Sequence, residues 1–173
     1  MNISLFSVIF RSQPLIQFIP QLKQIGYTGI ELMGNTPHLP ASISIAQLQE
    51  TKQILRDEAL PVVCLSTYSG GYSLLDDFRA QKQLEELRRF CELAAELNCP
   101  LIRQSPGGPS VMTGEANELH FQRAAEWLRQ AGEIAAQYQQ KLVLEIHNNS
   151  LAETAESAQK IITATGQDNI GVI

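Results

Sequence analysis

The chain has 173 residues, 44% hydrophobic and 18% charged, which suits a single soluble globular domain over residues 1–173. A net charge of −5, with no basic run, argues against a nucleic-acid-binding face, because phosphate recognition needs clustered Lys and Arg. No apolar run reaches the roughly 18 residues needed to cross a membrane, and the N-terminus lacks the basic and apolar regions of a signal peptide.

Residues 3–10, ISLFSVIF, read as the first strand. Ser12 and Pro14 resemble a helix start. Leu15, Phe18, Ile19, Leu22 and Ile25 then keep helical spacing up to a Gly26 cap, with Pro20 expected to kink the helix or limit its first turn. GIELMG, 29–34, is the second strand, and a loop rich in Pro, Ser and Asn follows. Ser44 and Gln47 form a capping-box pattern for a helix with Ile45, Leu48, Leu55 and Ala59 inward. PVVCLSTY, 61–68, is the third strand, with Pro61 at its first residue, where proline is tolerated.

The helix predicted over 78–97 carries Leu84, Leu87, Cys91, Ala94 and Ala95 as its stripe. The fourth strand ends in Arg103 and Gln104. A helix over 117–138 repeats Phe121, Ala124, Leu128, Ala131 and Ala135. KLVLEIHNNSLAET, 141–154, is the fifth strand and its exit turn. Ser150 and Glu153 then read as a capping box for a fifth helix with Ala155, Ala158, Ile161 and Ile162 inward, closed by Gly166. A sixth strand begins within 169–173.

Strand and helix thus alternate about five and a half times, with short apolar strands of the kind covered on both faces. This is an α/β fold with a parallel sheet. Polar residues recur at strand C-terminal ends: Glu31, Ser66 and Thr67, Arg103 and Gln104, Glu145 and His147. Functional groups spread over successive strand ends are the habit of a (β/α)8 barrel. The residue pattern alone leaves an open doubly wound sheet as the other architecture, although no glycine-rich turn follows the first strand. Because strand side chains alternate, Glu145 and His147 are expected on one face.

The segments GYTGIELMG, LNCPLIRQSPGG, KLVLEIHNNSLAET and DNIGVI together resemble the xylose isomerase-like barrel superfamily, which includes sugar phosphate isomerases and epimerases and family 2 apurinic endonucleases. The resemblance runs over essentially the whole chain. It implies a partial (β/α)8 barrel, incomplete at the C-terminus, since such a barrel takes about 250 residues. It implies a divalent metal (Mn, Mg, Zn or Co) in full-length relatives, with Glu145 in the place of the first metal ligand. The family's next ligand, an aspartate ending the sixth strand, falls beyond Ile173. Since a catalytic metal needs three or more protein ligands, tight binding by this chain alone is not expected.

The function implied is isomerase or epimerase chemistry on a sugar or sugar phosphate, by metal-assisted proton transfer next to a carbonyl. Glu145 would be the catalytic residue and metal ligand, and His147, Arg103 and Glu31 would contact substrate. This chain is expected to have little or no activity by itself. The rival reading is a non-catalytic barrel remnant that self-associates through strands one and six. Both readings carry an expected homo-oligomer, because open sheet edges pair with other chains. The acidic charge opposes a DNA-repair role.

Each site residue also has a plain structural reading. Arg103 could hold a sugar hydroxyl or phosphate, or form an ion pair with Glu145 or Glu31. The loops SGGYS and SPGGPS could cradle a phosphate or be only turns. Trp127 reads as packing, and His38 and His120 as surface residues. Cys64, Cys91 and Cys99 match no zinc or redox spacing and no disulfide framework, so they read as reduced core filler in a cytoplasmic protein.

Overall fold

The computed structural model describes residues 2–106 and 116–173. Six parallel strands, β1 Ser4–Phe6, β2 Gly29–Met33, β3 Val62–Ser66, β4 Leu101–Gln104, β5 Lys141–Leu144 and β6 Ile170–Val172, lie in chain order, each hydrogen-bonded to its sequence neighbours. Five helices alternate with them: α1 Leu15–Ile25, α2 Ile45–Asp57, α3 Asp77–Glu96, α4 Glu118–Gln137 and α5 Ala155–Thr165. This is a partial (β/α)8 barrel. Among the described residues, β1 and β6 each pair on one side only.

The register decides what each face carries. Met33 lies beside Ser66, Ser66 beside Arg103, and Arg103 beside Val143. Residues level with one another in a parallel sheet share a face, so these four point inward. The alternate residues Leu32, Leu65, Ile102, Leu142 and Leu144 point outward. They form the core with Phe18 and Leu22 of α1, Leu87 and Phe90 of α3, Leu128 of α4 and Ile161 of α5. The three cysteines are buried and free. Burial pushes the Cys91 and Cys99 thiols up to about 12, so neither is a nucleophile near neutral pH.

Local chemistry sets most element ends. Ser44 and Gln47 close a reciprocal cap on α2. Gly26 and Gly166 take left-handed conformations at the ends of α1 and α5 (φ +104° and +64°), where a side chain is disfavoured. The helix α1 runs through Pro20 to Ile25. Asn117 and His120 cap α4 through each other's backbone N–H.

Several expectations are corrected. The first strand stops at Phe6, and Ser7–Phe10 is a 3-10 turn. Ser7 Oγ accepts the Met33 N–H (2.8 Å), a donor that a continuing strand would take with a backbone carbonyl. Ile45 is 81% exposed because it is the first residue after the α2 cap, where the helix has not yet turned inward. Ala155 is exposed for the same reason. Ala59 lies past α2 in a left-handed turn (φ 48°), and Ala95 falls off the edge of the α3 stripe.

The cap of α5 is Thr154 with Ser157, not Ser150 with Glu153. Ser150 instead donates to the His147 carbonyl (2.7 Å) and accepts the Ala152 N–H (3.2 Å), closing a turn four residues earlier. Glu153 accepts the Asn149 N–H (3.2 Å). His38 is buried at 2% exposure, because the turn after β1 folds over it and supplies its ring with acceptors.

Candidate functional site

Four side chains from the consecutive strands β2 to β5 form one hydrogen-bonded line, although Glu31 lies in the middle of β2 and not at its end. Ser66 Oγ donates to Glu31 Oε1 and accepts from Arg103 Nε (3.0 Å). Arg103 Nη1 donates to Glu145 Oε2. The guanidinium carbon lies 5.9 Å from the Phe6 ring centre and 5.6 Å from that of Tyr68, within cation–π range of both. The Arg103 side chain is 11% exposed and that of Glu145 is 38% exposed, so the pair sits at the boundary between interior and solvent.

A cavity of about 300 Å³ opens over this line and is lined by Tyr68, Gly70, Gly71, Arg103, Glu145 and His147, among others. The structure therefore places Arg103, Glu145 and His147 around one space, with Glu31 behind, linked through Ser66. His147 is exposed, and its Nδ1 lies 2.6 Å from the Asn148 carbonyl. Neither Glu145 nor His147 is in the strand itself, because β5 stops at Leu144. The ladder still extends one step: Ile173 N–H bonds to Leu144 O (3.0 Å) and Ile146 N–H to Ile173 O (3.2 Å). That step fixes where Glu145 leaves the sheet.

Gln104 turns to the helix side and donates to Tyr72 Oη (2.7 Å). Tyr72 stacks on Trp127 at 6.2 Å, so Trp127 is a packing residue. In SGGYS, the Gly70 N–H is already bonded to Gln83 Oε1 (3.0 Å), leaving fewer donors for a phosphate. Most of SPGGPS, from Gly107 on, lies outside the described residues. A larger cavity, about 410 Å³, lies between α1, α2 and the β2–α2 loop, away from the strand-end line.

Ser66, noted from sequence as a polar strand-end residue but given no role, and Tyr68, not singled out, complete the site. A polar residue ending an apolar strand was the available signal for Ser66. An aromatic two residues further on was the signal for Tyr68.

The description "Xylose isomerase-like TIM barrel" names the family model that matches residues 19–173. The chain belongs to this family. A curated relative, 3-dehydroshikimate dehydratase of Bacillus anthracis, is 25% identical over 175 residues, covering 99% of this chain and 60% of the relative. The solved structure of D-psicose 3-epimerase in the presence of D-fructose superposes with a TM-score of 0.83 at 15% identity, over 99% of this chain and 62% of that one. A xylose isomerase-like TIM barrel protein from Mycobacterium smegmatis in complex with magnesium gives 0.77 at 18% identity, over 99% and 63%. This xylose isomerase-like chain thus spans about three fifths of the length of each.

Among the described residues, no three His, Cys, Asp or Glu side chains converge to hold a metal ion. Glu145 is a single carboxylate with one oxygen engaged by Arg103. The donors present therefore do not by themselves fit a catalytic divalent metal. No helix among the described residues is long and apolar enough to cross a membrane.

Proposed function

We propose that the chain carries the substrate-holding part of a sugar or sugar-phosphate isomerase or epimerase site. The observation that carries this reading is the line Glu31–Ser66–Arg103–Glu145 beneath one cavity of about 300 Å³. Small-molecule sites combine a concave space with a few placed polar groups.

Glu145 is the proton-handling carboxylate, acting on the carbon next to a substrate carbonyl. Arg103 is the fixed donor beside the oxygen on which negative charge develops, already oriented by Ser66 and by two aromatic rings. His147 and Tyr68 contact substrate at the cavity mouth. Glu31 holds the far end of the line. Epimerisation also needs a proton donor on the opposite face of the reacting carbon, and isomerisation a group to move the proton between the two oxygens; among the described residues this cavity presents one carboxylate. The chain alone therefore turns over slowly. Were further ligands supplied to the site, Glu145 would be one of the groups holding a divalent metal. Three buried reduced thiols suit a cytoplasmic setting.

The test is deuterium exchange from solvent into a ketohexose, followed by NMR. Wild type is expected to exchange slowly, and Glu145→Gln to lower the rate about 100-fold further. Exchange near the turnover of full-length relatives would overturn the slow-chain reading. No saturable binding of a ketohexose or its phosphate would overturn the site itself.

A second reading, self-association, is favoured by the open sheet. Strands β1 and β6 each have one unpaired side among the described residues, and Ile3, Val172 and Ile173 are exposed there. Such edges pair readily. Light scattering is expected to give a mass above one chain that rises with concentration. A concentration-independent monomer would count against it.

A further inference from the structure

Away from the strand-end cavity, His38 ties three segments of the chain together. Its backbone N–H bonds to Asn35 O (2.8 Å) within the β2–α2 loop. Its Nδ1 lies 2.9 Å from Ser7 Oγ. Its Nε2 lies 3.0 Å from the Gln13 carbonyl and 3.2 Å from that of Phe10, both in the segment between β1 and α1.

The partners fix the tautomer. Two backbone carbonyls only accept, so Nε2 carries the hydrogen and donates to them. Ser7 Oγ already accepts the Met33 N–H (2.8 Å), so its one hydrogen is left to donate to Nδ1. The result is a directed path from the end of β2, through Ser7 and the imidazole, to the carbonyls before α1. Ser7 is fully buried and the ring nearly so, and no water is needed to complete the path.

Protonation reverses one link. With hydrogens on both ring nitrogens, Nδ1 becomes a donor facing Ser7, and the Ser7 hydrogen loses its acceptor. The surroundings offer the imidazolium little compensation. The turn after β1 and its continuation contribute carbonyls, and the charged residue there, Arg11, is exposed. Helix α1 contributes the Phe18 ring at 5.4 Å, and β2 contributes a backbone amide. Across the adjoining cavity, the carboxylate among the lining residues is Glu50 of α2, which is exposed.

We propose that Ser7 and His38 form an acid-released latch, closed at neutral pH, that holds residues 7–14 and the β2–α2 loop onto the end of β2. The inference rests on the fold alone and stands apart from the reading of the strand-end cavity. Gly34, next to Met33, bonds separately to the Ser66 carbonyl (2.8 Å), so the pairing of β2 with β3 has its own tether.

The sign follows from burial, which holds the latched imidazole below its ordinary 6.5, partly offset by the Gln13 and Phe10 carbonyls. The latched state binds fewer protons than the released one. Closure is thus complete above the pKa of the released ring, and weakens about tenfold per pH unit below it, until the latched ring itself protonates.

The chain has three histidines, so a ¹⁵N-histidine-labelled sample gives three ring systems to follow by NMR. His38 is expected as the Nε2–H tautomer at pH 7.5, with a midpoint below 6.5. The protection factor of the Met33 amide is expected to fall about tenfold per unit below pH 6.5, while that of Leu65 in β3 stays constant. In Ser7→Ala, Met33 protection is expected to be low and independent of His38 titration. The Nδ1–H tautomer, a midpoint at or above 6.5, or Met33 protection unchanged through the titration would each overturn the latch. The wild-type readings decide the matter even if Ser7→Ala fails to fold.

Discussion

Replacing Arg103 with leucine is expected to abolish ligand binding in the strand-end cavity and to lower stability by about 1–3 kcal/mol. The guanidinium touches both Ser66 and Glu145, and it lies between the rings of Phe6 and Tyr68. Removing it leaves the Ser66 hydroxyl short of a donor and Glu145 without its cation. The cost stays below that of a fully buried pair because the Glu145 side chain is 38% exposed and water can take over part of its solvation. Arg103→Lys separates charge from shape. An ammonium keeps the charge but cannot present Nε to one partner and Nη1 to the other from a single plane. Lysine is expected to recover part of the stability and little of the binding. Urea midpoints and a ketohexose titration on both variants check this; binding retained in Arg103→Leu would remove Arg103 from the site.

Phe18→Ala is expected to be the most destabilising single change considered, at about 3–5 kcal/mol. Phe18 is fully buried, stacks on Phe10 at 4.4 Å and meets the His38 ring at 5.4 Å. It joins α1 to the sheet and also supports the turn that covers His38, so its loss opens a cavity under two segments at once. For a chain of this size, such a loss lowers Tm by about 6–20 °C. Ile25, on the same helix but 70% exposed, provides the control: Ile25→Ala is expected to change stability by no more than about 0.5 kcal/mol. Parallel thermal scans decide. A small shift for Phe18→Ala would mean that the α1 layer is not part of the cooperative core.

What could be read from sequence was mostly chemistry confined to a few neighbouring residues. The Ser44–Gln47 cap, the glycines ending α1 and α5, and the apolar strand cores depend on contacts within a turn or a strand. Even there, one cap was misplaced by four residues. Ser150 with Glu153 matched the usual Ser-x-x-Glu pattern, yet the Ser150 hydroxyl is spent on the turn from His147 to Ala152, and the helix starts at the Thr154 cap. Arg103 could be foreseen as a partner for Glu145 because both end strands that a parallel sheet places side by side.

The connecting role of Ser66 could not be foreseen. Its partners lie 35 and 37 residues away, and a serine among apolar neighbours gives no sign of which carboxylate it will meet. His38 misled for a related reason. In a loop of prolines and serines it looks solvated, and its burial depends on Ser7 and on two carbonyls at 25 and 28 residues' distance.

Strand order has a kinetic consequence. Every strand bonds to the one made just before it, as in Ser4 with Gly29 and Leu101 with Lys141. Pairing never waits for a distant segment, so loop-closure entropy stays modest at each step. On a ribosome, each new strand–helix unit would meet an edge already laid down and dock there as it emerges. Folding can thus advance from the N-terminus like a ratchet, with Phe18 and the first two strands as its opening tooth.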